Sequence, residues 1–79
     1  MGKEVLQEWL IESLRKLNGS ANIVEVCKSI WNLHEDDLRR SGDLFYTWQY
    51  DVRWAANVLR TQGVMKSVAL SPKGRWELA

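Results

Sequence analysis

Seventy-nine residues, 46% hydrophobic and 27% charged, make one small globular domain, 1–79, that buries only ~60 to 65% of its unfolded surface, so each large apolar side chain matters. One cysteine, Cys27, and one histidine, His34, exclude an internal disulfide and a structural zinc site within one chain, and no apolar run approaches the ~18 to 20 residues of a membrane span. The formal charge is +1, yet residues 1–37 hold four Lys/Arg against seven Asp/Glu, net −3, and residues 38–79 hold seven against three, net +4, so an anionic partner would meet the C-terminal half.

Met1 to Glu4 lead straight into amphipathic sequence without a signal-peptide core, which predicts a cytoplasmic protein. Residues 4–17 place Leu6, Trp9, Leu10, Leu14 and Leu17 at helical spacing, with Gly19 as the stop, and predict a first helix. Asn22 followed by Glu25 is a capping-box pattern, and Ile23, Val26, Cys27 and Ile30 continue it as the apolar stripe of a second helix to about Leu33. Ser20 and Ala21, just before it, have room for a brief strand. Residues 35–41 run from acids to bases before Gly42 and predict a short surface helix.

Thr47 is the expected N-cap of a third helix, 47–62, which Gly63 ends. At roughly 100° per residue, Trp48, Val52, Ala55, Ala56 and Leu59 share one arc, and Gln49, Arg53, Asn57 and Arg60 share the next. After Gly63 the pattern turns strand-like, with Val64 to Leu70 and Arg75 to Leu78 flanking Ser71-Pro72-Lys73-Gly74. A three-residue hairpin loop there would set Leu70 opposite Trp76 and Val68 opposite Leu78, which makes one hairpin face wholly apolar.

Such a hairpin has to lie on the helices, so the expected fold class is α+β. It is a winged helix-turn-helix of three main helices, a short surface helix and a C-terminal two-stranded β-hairpin wing. The stretch Asp51-Val52-Arg53-Trp54-Ala55-Ala56, then Leu59, Gly63-Val64 and the closing Gly74-Arg75-Trp76-Glu77-Leu78, resembles the N-terminal winged-helix domain of Mrr-type restriction proteins. The resemblance is best over residues 41–79. It implies a DNA-binding or target-recognition module of a restriction or regulatory protein. No nuclease domain accompanies it in these 79 residues, and the near-neutral charge departs from that of a strong DNA binder.

Gln49, Arg53, Asn57 and Arg60 line one ridge with amide and guanidinium groups that suit adenine and guanine edges in a major groove. Lys73 and Arg75 at the hairpin are expected to reach a phosphate or a neighbouring minor groove of double-stranded DNA, with Arg39, Arg40 and Lys66 adding backbone contacts. Trp54 points almost opposite the packing stripe, with Tyr50 one turn before it. Either the hairpin or residues 44–46 cover Trp54, or it anchors a protein partner or a second copy. Trp9, Trp31, Trp48 and Trp76 are expected in or near the core. His34 reads as a capping or surface residue, Cys27 as a buried small hydrophobe and Glu35-Asp36-Asp37 as a solvated helix start. No catalytic set, phosphate-binding glycine loop or metal-ligand spacing is present, so the expectation is a binding domain without enzyme activity, cofactor or metal.

Overall fold

The computed structural model of the chain describes residues 2–79. It is a small α+β fold of three helices and a two-stranded antiparallel sheet. The elements are α1 (Val5–Lys16), β1 (Ser20–Asn22), α2 (Ile23–Arg39), α3 (Leu44–Thr61) and β2 (Arg75–Glu77).

Helix α1 buries Leu6, Trp9, Leu10 and Leu14, the expected stripe, while Leu17 is only partly covered. Asn18 and Gly19 both take positive φ, and the Gly19 amide donates to the Leu14 carbonyl at 2.6 Å, which closes the helix. The chain then enters β1, the short strand anticipated at Ser20 and Ala21.

Asn22 caps α2 as its spacing predicts. Its Oδ1 accepts from the Glu25 amide at 2.8 Å, and Glu25 Oε1 accepts from the Asn22 amide at 3.1 Å. The second helix and the short surface helix are one element broken at His34, whose φ of −133° and ψ of 24° are not helical. Leu38 beyond the kink is fully buried, so the second half is no mere surface helix. Ser41 Oγ donates to the Leu38 carbonyl at 2.6 Å beyond its end.

Helix α3 begins at Leu44 rather than after Thr47. The earlier start buries Leu44 and leaves Thr47 inside the helix, where its hydroxyl donates to Asp51 instead of capping. Trp48, Val52, Ala55, Ala56 and Leu59 are all buried, as their shared arc requires. Gly63, at φ 78°, ends the segment, and the Val64 amide turns back onto the Leu59 carbonyl at 2.9 Å.

The hairpin differs most from expectation. Trp76 pairs with Ala21 of β1, not with Leu70, and Leu78 bridges Met65, three residues earlier than the expected Val68. The odd slip turns Met65 inward, and Val68 and Leu70, which leave the ladder altogether, are 72% and 73% exposed. β1 takes the opposite edge of β2, where the small Ala21 lies beside the buried Trp76, a long-range pairing the local turn sequence does not encode. Residues 67–71 coil into a helical turn, with the Ser71 amide and hydroxyl both on the Ser67 carbonyl at 3.1 and 3.0 Å. Gly74 keeps the left-handed conformation foreseen for it, at φ 77°. Beside β2, only Val64 to Lys66 run antiparallel, with the Lys66 amide donating to the Glu77 carbonyl and the Ala79 amide to the Val64 carbonyl.

Helix α1 lies against both α2 and α3, and the sheet closes one end of the core beside Trp76 and Met65. No helix among the described residues is long and apolar enough to cross a membrane.

Candidate functional site

Helix α3 presents Gln49, Arg53 and Asn57 to solvent one turn apart. The buried stripe fixes this direction: once Trp48, Val52, Ala56 and Leu59 face the core, the adjoining ridge must face out. None of these three side chains makes a hydrogen bond or ion pair among the described residues, so the ridge is an unfilled set of donors and acceptors.

Arg60, the fourth member by spacing, is partly buried, and its Nε donates to the Lys66 carbonyl at 3.2 Å. It thereby ties the end of α3 to the segment leading into the sheet. Arg75 is also engaged: Nε donates to Ser20 Oγ at 3.0 Å and a terminal nitrogen to the Ser20 carbonyl at 3.1 Å, which clamps β2 to β1. Lys66 pairs with Glu77 at 3.0 Å. The Lys66 ammonium, and after it the Ser20 hydroxyl, hold the Glu77 carboxyl below the usual carboxylate range.

Arg39 pairs with Glu35 at 2.8 Å and lays its guanidinium 5.1 Å from the Trp31 ring centroid, while Arg40 pairs with Asp37 at 3.4 Å. Lys73 stands exposed beside Gly74 with no ion pair. Of the expected DNA-contacting residues, then, Gln49, Arg53, Asn57 and Lys73 are free among the described residues, and Arg39, Arg40, Arg60 and Arg75 also hold local structure.

Tyr46, one turn before Gln49 and in line with the ridge, and Tyr50 at its edge are 84% and 78% exposed. Trp54 is half-buried and packs on the core cluster, with the Lys3 ammonium 4.4 Å from its ring centroid. The N-terminal segment therefore reaches Trp54, a neighbour absent from both coverings foreseen for it.

Sequence reading missed a groove between α2 and α3. It has a volume of about 760 Å³ and lies between Val24, Cys27, Lys28 and Trp31 on one side and Phe45, Trp48, Gln49 and Arg53 on the other. The signal was the i, i+4 pairing of Val24 with Lys28 and Cys27 with Trp31 on one face of α2. Cys27 is half-buried rather than buried, and burial pushes its thiol pKa up, so it stays protonated at neutral pH.

His34 also exceeds the surface role expected of it. Its ring stacks on Trp9 at 4.1 Å and 7°, and its Nε2 donates to Glu12 Oε1 at 2.6 Å, which joins the α2 kink to α1. No group of three or more His, Cys, Asp or Glu is placed to hold a metal among the described residues.

Comparison with known proteins adds nothing to this geometry: no family model, curated protein or solved structure matches the chain.

Proposed function

We propose that the chain is a winged-helix module that binds double-stranded DNA, with α3 in the major groove and the segment after Gly63 along the phosphate backbone. The element order supports this reading. A strand after α1 and two antiparallel segments after α3, with β2 between the other two, match the layout of a helix-turn-helix carrying a short wing. The resemblance of residues 51–56 and 74–78 to Mrr-type winged helices points the same way, toward target recognition within a restriction or regulatory protein.

The ridge Gln49, Arg53 and Asn57 carries the proposal, because it offers one guanidinium and two amides with no partner among the described residues. A guanidinium fork matches guanine O6 and N7, and an amide matches adenine N6 and N7. Lys73 supplies a phosphate contact. Arg39, Arg40, Arg60 and Arg75 keep further N–H donors beyond those used internally and add charge around the ridge.

Fluorescence anisotropy with mixed-sequence duplexes at low salt tests this. Binding tighter than about millimolar that weakens steeply with added salt supports it, and anything weaker overturns it. Arg53→Ala is expected to lower affinity without changing Tm. Arg60→Ala lowers both, since it also releases the Lys66 carbonyl.

The exposure of Tyr46 and Tyr50 favours a second reading, an interaction module that docks a protein partner or a second copy through Tyr50 and Trp54. Sedimentation separates the two. A monomer whose Tm falls on Trp54→Ala assigns Trp54 to the fold and removes this reading.

A further inference from the structure

The groove between α2 and α3 shares Gln49 and Arg53 with the α3 ridge and adds to them chemistry on α2 that contact with a duplex does not use. Its floor is aromatic: the Trp31 and Trp48 rings lie 6.3 Å apart and within 15° of parallel, and Phe45 sits 6.4 Å from Trp31. Its volume of about 760 Å³ falls among small-molecule sites, which span roughly 300–1,000 Å³.

Its charge is of one sign. Lys28 on α2 and Arg53 on α3 line it, both exposed and both without an ion pair among the described residues, and no Asp or Glu lines it. Arg39, over the Trp31 ring, is paired with Glu35 and leaves the charge of the groove to Lys28 and Arg53. The Cys27 thiol in the wall is neutral, so it contributes polarisable surface and no repulsion toward an anion.

We propose that this groove binds a small planar aromatic anion, a carboxylate or sulfonate carried on one or two fused rings. The ring lies along the apolar lining, against the half-buried Trp31 with Val24 and Phe45 beside it, while Trp48, 4% exposed, closes the floor. The anionic group lies between Lys28 and Arg53, where it gains charge-assisted hydrogen bonds from both helices. Lys28 and Trp31 lie off the α3 ridge while Arg53 belongs to both, so the site is formed without DNA, and a duplex on the ridge would compete with the anion for Arg53.

Three ligands that share one ring and differ in charge test it: indole-3-acetate, indole-3-acetamide and tryptamine. Each is titrated into the full chain without DNA and followed by the indole N–H resonances of Trp31 and Trp48. Alkylation of Cys27, the chain's one thiol, by iodoacetamide is followed in parallel. Indole-3-acetate is expected to shift both resonances, to slow the alkylation, and to bind about tenfold more tightly than the amide, with tryptamine weakest. Lys28→Gln and Arg53→Gln each reduce that preference severalfold, and Lys16→Gln, outside the groove, preserves it. Circular dichroism verifies that each variant is folded. Equal binding of the three ligands, no shift up to about 10 mM, or a preference that survives both groove substitutions overturns the proposal.

Discussion

Trp76 lies directly across the sheet from Ala21, fifty-five positions earlier in the chain, and both are buried. This pair joins the C-terminal strand to the turn between α1 and α2 and closes the core. Trp76→Ala is therefore expected to cost ~3–5 kcal/mol, and Ala21→Leu, which overfills the space under the indole, ~1–3 kcal/mol. Leu70→Ser and Val68→Ser, at exposed positions, stay within about 0.5 kcal/mol of the parent. Urea unfolding of the four variants checks this. A large loss at Leu70 would restore the Leu70–Trp76 pairing that the turn sequence suggests.

His34 joins α1 to the α2 kink by stacking on Trp9 and bonding to Glu12. Truncation to Ala removes both contacts and is expected to cost about 1–2 kcal/mol. In a double-mutant cycle, His34→Ala and Glu12→Gln couple by about 0.5–1 kcal/mol, because Glu12 is partly solvated. Additive effects would place the value of His34 in the stacking alone.

Ser13 is buried in α1, and its hydroxyl has no hydrogen-bond partner among the described residues. Replacing it with Ala removes an unsatisfied polar group and improves helix propensity, so Ser13→Ala should raise stability by about 1 kcal/mol. Thermal unfolding reads this as a higher Tm, and a lower Tm would mean that the hydroxyl is bonded in solution.

Glu77 carries a lowered pKa in the folded protein because Lys66 and Ser20 both donate to its carboxylate. A lowered folded-state pKa makes the stabilisation complete above the usual carboxylate range, and it is lost as the pH falls through the lowered value. Stability measured against pH should thus decline more steeply on the acid side in the parent than in Glu77→Gln. Superimposable acid limbs would remove Glu77 from the linkage.

The helices are legible in the sequence because their apolar stripes recur at one period over many residues and their stops are local. Asn22 with Glu25, and Gly63 with Val64, act within a few positions. The register of the C-terminal segment is not local. Ser71-Pro72-Lys73-Gly74 argues for a tight hairpin, but β2 sits between β1 on one edge and Val64 to Lys66 on the other, and this arrangement buries Trp76 and Met65. The α3 ridge was legible down to Asn57. Arg60 was not, since its role depends on where the Lys66 carbonyl falls. The groove needed two helices to be placed side by side, so Lys28 and Trp31 had no visible connection to Arg53 and Trp48.

Recognition of DNA by the exposed ridge of α3 is tested most directly by a residue-resolved NMR titration with a duplex at low salt. The largest shifts are expected on Gln49, Arg53 and Asn57, with a further set at Lys73 and Gly74. Shifts confined to Tyr46, Tyr50 and Trp54, or none at all, would contradict it.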